Sequence, residues 1–517
     1  MLRWLTRSVL VRVILFIIVL MIIEHHGRPW AFGWMRLDEA AEVAETYLSQ
    51  QGVDASKYTL IRAVEHRPDG IWSPREGEVR FGTNPAIGYV LRYFRMNAED
   101  GWTIGVSPIG RIYRIRRQQL DDEPARRLGP SEAFLLVHGK LREDLHVPAD
   151  SVAVLDDSLV TQPQRSDWYY TLQWPSALDS AGNMVVKLAG EAITYLAYNP
   201  VIRQTGLAPN STPEDRRVLA VILILIGVFL VMHYHRTPLA IRAAGMWGAV
   251  MFFLTLAVRG LTFPQSVILM PADSSITGYL SRVSLAAVIE AIQSAILLGL
   301  VVATGESLSR DVFRRSTSLS RLAPGLSGWR AAWARAARWA LPAAALVLAY
   351  EAIAAHYWGP IGLSGKVPMI MANALSSPLP KLALPAQVGM SVLWEESVYR
   401  LWLFTLLLFW LRVPLLAIPL TAAVATYFAG YDLSQFASAG ALLYIAWGMV
   451  ASALILRVGI ISAMLFHALV LGGYTSVAMM WTGFGQDLGY VTIGSALLLI
   501  LLIARSDPPP APAPAAG

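Results

Sequence analysis

A cluster of charged side chains lies in the middle of an apolar stretch, where residues 394–400 read Trp-Glu-Glu-Ser-Val-Tyr-Arg. A charge at the centre of a membrane helix costs about 2.5–3.5 kcal/mol on insertion scales, so such residues are functional candidates. Glu396 and Arg400 are four residues apart, share one face of a helix and are predicted to form an ion pair. Glu395 is rotated by about 100° from Glu396 and lacks that partner. The arrangement fits a general base, Glu395, beside a structural ion pair, with helix packing or an ion path as the alternative.

Two later apolar segments each carry one polar group of a kind that serves in hydrolysis. Asp432 lies four residues after Phe428 near the end of one segment, and His467 lies inside the other. Taken alone, His467 also fits a histidine bonded to a backbone carbonyl, and Asp432 fits an interfacial cap. Their order after the Glu-Glu-x-x-x-Arg helix favours a shared site for all three segments.

The Glu-Glu-x-x-x-Arg string, followed by two helices with polar residues, resembles the CPBP family of intramembrane metalloproteases. That family includes the CAAX prenyl endopeptidases and bacterial relatives linked to bacteriocin processing or immunity. The resemblance covers residues 380–482, about one fifth of the chain, and its first motif is complete as Glu395, Glu396 and Arg400. It implies an endopeptidase that cleaves a membrane-associated peptide or protein with water activated by Glu395.

The other family motifs are incomplete in this chain. Asp432 stands where the family has histidine, His467 matches a family histidine, and Leu471 stands where the family commonly has asparagine. Aspartate is an acceptable zinc ligand, so Glu395, Asp432 and His467 could hold zinc or an attacking water, and the sequence leaves the need for metal open. Loss of the asparagine removes an oxyanion donor, a role typically worth about 3 kcal/mol.

Two other functions compete with the endopeptidase. The departures at Asp432 and Leu471 are also compatible with a catalytically impaired member of the family that acts as a binding or immunity protein. A transporter is disfavoured, because the membrane segments show none of the inverted symmetry that transporters tend to have. The remaining polar groups in apolar segments are predicted to form hydrogen bonds between helices; they are Arg259, Glu290, Gln293, Glu351 and His356.

The composition is that of a polytopic α-helical membrane protein. Hydrophobic residues make up 55% of the chain and charged residues 15%, against about 25% charged residues in soluble domains. Apolar runs long enough to cross the bilayer predict about ten helices, at 8–23, 217–234, 240–261, 279–303, 339–358, 384–411, 414–430, 438–456, 459–481 and 487–504. The chain has no cysteine, which excludes disulfides and thiolate metal sites.

Arginine distribution predicts the orientation of the chain. Residues 305–338, expected to form a loop, contain seven arginines and are predicted to be cytoplasmic. Counting helices from this loop places 28–216 outside, and we expect an integral protein of the bacterial cytoplasmic membrane. The net charge of +6 fits cytoplasmic loops better than nucleic-acid binding, because no basic face interleaved with aromatics is present.

Residues 28–216 are polar and predict an inserted α+β domain that follows a signal anchor at 1–27. Residues 37–51 and 130–145 each have apolar residues at helical spacing. Each predicted helix is followed by strand-like runs and a hairpin, around Gly110 after the first helix and around Gly190 after the second. The repeat predicts two similar units, 36–120 and 129–200, which resemble PepSY modules; that resemblance implies peptide binding or restraint of the enzyme. Membrane helices at 217–358, a protease-like core at 380–504 and a disordered Pro/Ala tail at 505–517 complete the predicted organisation.

Overall fold

The computed structural model describes about seven tenths of the chain, with gaps between the described segments. The described segments are 9–31, 35–66, 87–95, 101–107, 110, 112–118, 123–143, 152–174, 182–200, 221, 224–229, 231–232, 239–268, 270, 276–313, 319, 329–358, 366–428, 439–481, 489, 492–497 and 500. Asp432 and the predicted tail at 505–517 lie outside these residues, and the predicted helices at 217–234 and 487–504 are described only in fragments.

An antiparallel sheet of eight strands and two helices form the polar part of the chain, which we call the sheet domain. Helix α1 (Val9–Ala31) precedes it, and a helix followed by four strands then occurs twice. The elements are α2 (Leu37–Gln50), β1 (Thr59–His66), β2 (Ile87–Phe94), β3 (Gly101–Val106), β4 (Ile112–Gln118), α3 (Pro130–Glu143), β5 (Ala153–Thr161), β6 (Ser166–Trp174), β7 (Gly182–Ala189) and β8 (Ala192–Pro200). The strand order is β1-β2-β3-β4-β8-β7-β6-β5, so β4 and β8 join the two sets of strands edge to edge.

Both predicted hairpins are confirmed. Strands β3 and β4 pair around Gly110, and β7 and β8 pair around Gly190. The two glycines have φ of +83° and +58°, the left-handed backbone that glycine adopts without strain.

The core of the sheet domain lies between the sheet and the apolar faces of its two helices. On α2 the buried face includes Ala40, Ala44 and Leu48, spaced four residues apart. On α3 the buried face follows the same spacing, with Ala133, Val137 and Leu141. Such spacing gives one apolar stripe per helix, which buries itself against the sheet.

The rest of the described chain is helical. Its helices are α4 (Ile241–Leu261), α5 (Phe263–Ile268), α6 (Ile276–Phe313), α7 (Trp329–Trp358), α8 (Lys366–Leu375), α9 (Pro380–Glu395), a π-helical segment (Glu396–Leu403), α10 (Phe404–Leu411), α11 (Pro414–Phe428), α12 (Ala439–Arg457) and α13 (Ile460–Trp481). Among the described residues, three helices are long and apolar enough to cross a membrane: Ile241–Leu261, Thr277–Phe313 and Ile460–Val477. Shorter apolar helices run over Val9–Ile22, Pro414–Phe428 and Tyr444–Arg457. The chain is thus mostly helical, with three candidate membrane spans in its described part.

The arginine-rich segment 305–338 is more helical than expected. Its first residues complete α6 and its last ten begin α7, which starts at Trp329. Residues 329–338 are alanine, arginine and tryptophan, and alanine and arginine have high helix propensity, so the helix extends beyond the apolar run that was used to predict it.

The helix-helix hydrogen bonding predicted for five polar groups in apolar segments is present for two of them. Arg259 of α4 donates through Nε and Nη2 to the two carboxylate oxygens of Glu290 on α6, at 2.7 and 2.5 Å. Paired in this way, the two charges link neighbouring helices, as expected for polar groups in an apolar setting.

The outer edge of β1 packs on the helical part of the chain. The amide of Val64 donates to Ser376 Oγ at 2.7 Å, and Gln265 Nε2 donates to the carbonyl of Val64 at 2.9 Å. From the adjacent strand, Arg92 donates to the carbonyls of Val267 and Met270, both at 2.9 Å. Arg92 is 5% exposed, and burial, followed by the charge of Arg116, lowers its pKa. We call this set of contacts the β1 dock.

One residue of the β1 dock, Ser376, lies shortly before the helix that ends at Glu395. Ser376 directly follows α8, and four residues later the chain enters α9, which ends at Glu395. The full length of α9, 16 residues, therefore separates this contact from the segment with the densest charge.

Candidate functional site

The two glutamates lie where the backbone changes its helical geometry. Glu395 is the last residue of α9, and Glu396 begins the π-helical segment that ends at Leu403. A π-helix inserts extra residues into each turn, and such segments inside α-helices occur frequently at functional sites. Both carboxylates are removed from solvent, with Glu395 5% exposed and Glu396 0% exposed.

Glu396 is held by two basic side chains. His467 Nδ1 lies 2.8 Å from Glu396 Oε1, and Arg400 Nη1 lies 3.6 Å from the same oxygen. The predicted pair between Glu396 and Arg400 is therefore present, although 3.6 Å is longer than a hydrogen bond. The shorter contact comes from α13, so His467 fixes the carboxylate across two elements that are distant in sequence.

Glu395 has a different set of partners. Ser391 Oγ donates to Glu395 Oε1 at 3.1 Å, and the hydroxyl of Tyr444 donates to Oε2 at 3.2 Å. The sequence expectation placed His467 beside Glu395, whereas the described contact of His467 is with Glu396.

Two aromatic rings connect the two carboxylates into one cluster. The rings of Tyr444 and Trp447 meet edge to face at 4.7 Å, and those of Trp447 and His467 meet in the same way at 4.5 Å. Tyr444 bonds to Glu395 and His467 bonds to Glu396, so a continuous set of contacts runs from one acid to the other. We call the following seven residues the carboxylate cluster: Ser391, Glu395, Glu396, Arg400, Tyr444, Trp447 and His467.

Arg400 extends towards the neighbouring helices α11 and α12. A Cβ atom built at Gly448 would lie 3.3 Å from Arg400 Nη2 and 3.0 Å from the Cβ of Ala422. A glycine at this position therefore leaves room for the guanidinium between the two helices.

Several buried polar atoms of the cluster have no hydrogen-bond partner among the described residues. They are Glu396 Oε2, Arg400 Nε and Nη2, Trp447 Nε1 and His467 Nε2. Buried polar atoms in native proteins nearly always have a hydrogen-bond partner, which is often an ordered water. These donors and this acceptor lie in one cluster, so the cluster is suited to bind water or the polar part of a ligand.

Ser391, Tyr444 and Trp447 are the members that sequence reasoning missed. Ser391 lies one helical turn before Glu395 and could have been found from that spacing. Tyr444 and Trp447 carried no such signal, because their contacts depend on how α12 packs against α9 and α13. Leu471, in the place of the family's asparagine, is buried at 2% exposure and offers no polar side chain.

The described residues do not complete a zinc site. Catalytic zinc takes three protein ligands and a water, whereas the cluster joins one carboxylate and one imidazole by direct contact. Within the described part of the chain, no group of three or more histidine, aspartate or glutamate side chains is placed to hold a metal. Asp432 lies outside that part, so its predicted role as a ligand remains a prediction.

Comparison of the chain with family models, with curated proteins and with solved structures gives no match.

Proposed function

We propose that this chain is an integral membrane endopeptidase that cleaves a membrane-associated peptide or protein. The observation that carries the proposal is the carboxylate cluster: two adjacent, buried glutamates, one bonded to hydroxyl groups and the other to an imidazole. Charged side chains in apolar helices are costly and are retained mainly at functional sites. The proposal also rests on the resemblance of residues 380–482 to CPBP proteases, whose first motif these glutamates match.

In this proposal Glu395 is the general base. The hydroxyl groups of Ser391 and Tyr444 donate to its two oxygens, at 3.1 and 3.2 Å, and would orient the carboxylate for an attacking water. Glu395 would take a proton from water as the water oxygen attacks the scissile carbonyl carbon. That proton would then pass to the nitrogen of the leaving amine as the C–N bond breaks, so Glu395 returns to its charged form.

Glu396, Arg400 and His467 have a positioning role in this proposal. Their contacts converge on one oxygen of Glu396 and hold the π-helical segment against α13. Asp432 is proposed as a further acid of the site, as the family resemblance implies. With one carboxylate and one imidazole in direct contact, the described side chains fall short of a zinc site, and the proposed attack on the carbonyl carbon uses water and Glu395.

The proposed topology has about ten membrane helices, with the N- and C-termini in the cytoplasm. The sheet domain would lie outside the bacterial cytoplasmic membrane as two PepSY-like units. The β1 dock supports this arrangement, because its membrane-side residues lie at Gln265–Met270 and Ser376, in the two connections that the topology also places outside.

A catalytically impaired, binding member of the family is the second candidate. The observation that favours it is the buried, apolar Leu471, which removes an amide donor from the expected site. Cleavage by the wild-type protein separates the two candidates.

The test compares membrane proteins of cells that express the wild-type chain, Glu395→Gln or Glu290→Gln. New N-termini are identified by mass spectrometry after chemical labelling. We expect new termini with wild type and Glu290→Gln, which alters a glutamate outside the cluster, and none with Glu395→Gln. Identical termini in all three samples would refute the peptidase, and a partner retained by all three without cleavage would support the binding protein.

A further inference from the structure

The two edges of the eight-stranded sheet are in different situations. The β1 edge packs on the helical part of the chain, where Ser376 and Gln265 bond to the backbone of Val64. The opposite edge is β5, which pairs with β6 on one side, and no strand of the described chain pairs with its other side. All nine residues of β5 are exposed, so neither a helix nor a loop of the described chain covers it. An edge strand of this kind presents unpaired N–H and C=O groups that can bond to another strand.

The side chains of β5 add apolar area to these backbone groups. Val154, Leu155, Leu159 and Val160 are between 39% and 51% exposed. The register with β6 is regular from Asp156 to Thr161, after a bulge between Val154 and Asp156. Six residues in regular register span about 20 Å, which is the length of an ordinary strand.

The charges of β5 select the kind of strand that can bind. Asp156 and Asp157 are adjacent and therefore point to opposite faces, so each face of the edge carries one negative charge. The strand contains no lysine or arginine. Opposite charges in directly opposed positions stabilise a strand pair and like charges destabilise it. A second copy of β5 would bring aspartates close to aspartates, whereas an extended segment with lysine or arginine on both faces would meet complementary charge.

We infer that the outer edge of β5 binds an extended, cationic segment of another polypeptide, which adds a ninth strand to the sheet. Backbone hydrogen bonds would supply much of the affinity, and alternate side chains would supply the selectivity. The additional claim that this edge brings a substrate to the membrane site rests on the proposed peptidase function. The claim that the edge binds such a segment does not depend on cleavage.

The test measures binding by the full-length Glu395→Gln protein in nanodiscs of zwitterionic lipid, so that neither cleavage nor lipid charge affects the result. The probe is a fluorescein-labelled peptide of eight residues in which pairs of lysines alternate with pairs of valines. Binding is measured by fluorescence anisotropy. We expect saturable binding that weakens at least tenfold when aspartate replaces lysine in the peptide. N-methylation of alternate amides should weaken it as strongly, because it removes backbone donors without removing charge.

Variants of the protein locate the binding site. Asp156→Lys/Asp157→Lys should weaken binding of the cationic probe at least tenfold, and Asp156→Asn/Asp157→Asn should weaken it less. Glu42→Lys/Glu45→Lys on α2 is the matched control, since both glutamates are exposed in the same domain and lie away from β5, and it should bind within twofold of the parent protein. Unchanged far-UV circular dichroism shows that each variant is folded.

Three results would overturn the inference. The first is the absence of saturable binding, and the second is binding that the β5 variants or N-methylation leave unchanged. The third is a disulfide-linked dimer of Asp157→Cys in membranes, which would assign the edge to a second copy; the chain has no native cysteine, so this thiol is unique. The assay contains no cleavage step, so an absence of binding would not refute the peptidase proposal. Conversely, an absence of cleavage would not change the binding result.

Discussion

The β1 dock gives a quantitative prediction about Arg92. Arg92→Met keeps the length of the side chain and removes the guanidinium that bonds to the carbonyls of Val267 and Met270. A net hydrogen bond to a charged group is worth about 1.5–3 kcal/mol. Because the freed carbonyls can recover part of this from water, we expect a total loss of about 3 kcal/mol for the two bonds, which corresponds to an increase of roughly 150-fold in local opening.

Hydrogen exchange of the protein in nanodiscs, followed by mass spectrometry, measures this opening. The amide of Val64, which donates to Ser376 Oγ, and the amides of α5 should exchange faster, whereas those of β7 and β8 should not change. Arg62→Met is the matched control on the neighbouring strand, because Arg62 forms an exposed pair with Asp38. An exposed pair is worth about 0–1 kcal/mol, so its effect should stay below about fivefold. An equal effect of the two variants, or uniform exchange across the whole sheet, would refute the reasoning.

Three further predictions concern packing, buried charge and pH. Gly448→Ala should lower stability by about 1–3 kcal/mol through overpacking, as measured by thermal unfolding in detergent; Gly472→Ala, whose Cβ would meet its nearest neighbour at an ordinary 3.6 Å, should have little effect. His467→Phe should destabilise the protein by about 3–5 kcal/mol, because it leaves the carboxylate of Glu396 buried without its closest partner; an unchanged melting temperature would contradict this. Burial, followed by the charge of Glu39, raises the pKa of Tyr89 above its ordinary value near 10, so the stability it contributes is complete below pH 10 and is lost as the pH rises further. Tyr89→Phe should reduce that alkaline loss in denaturant titrations, and an identical pH dependence would count against it.

Local signals in the sequence predicted the parts of the fold that depend on neighbouring residues. The hairpins at Gly110 and Gly190 were predictable because each combines alternating side chains with a glycine that adopts positive φ. The contact between Glu396 and Arg400 was predictable because helical spacing alone brings the two residues together.

Strands β1 and β5 and helix α8 gave no comparable signal. All nine residues of β5 are exposed, so burial imposes no alternation of apolar and polar side chains on it. The short helix α8 has ten residues and is fixed by contacts with β1 and its neighbours, which periodicity within one segment does not record.

In the candidate site, too, a local feature could be predicted from the sequence, whereas contacts between distant elements could not. The helix that carries Glu395 and Glu396 could be predicted from the cost of charge in an apolar segment. The partners of the two acids could not be assigned, because adjacent residues on a helix point about 100° apart and a small change in helical geometry decides which one faces α13. In the structure the π-helical segment begins at Glu396, and His467 contacts Glu396 rather than Glu395.

The rate of cleavage by purified Glu395→Gln protein tests the central claim most directly. A substrate identified from its new terminus is reconstituted in nanodiscs with wild-type or variant protein, and the product is quantified over time. Removal of a general base should lower the rate by about 100-fold or more, while the melting temperature stays near that of wild type. Cleavage by folded Glu395→Gln protein at the wild-type rate would contradict the claim that this carboxylate activates water.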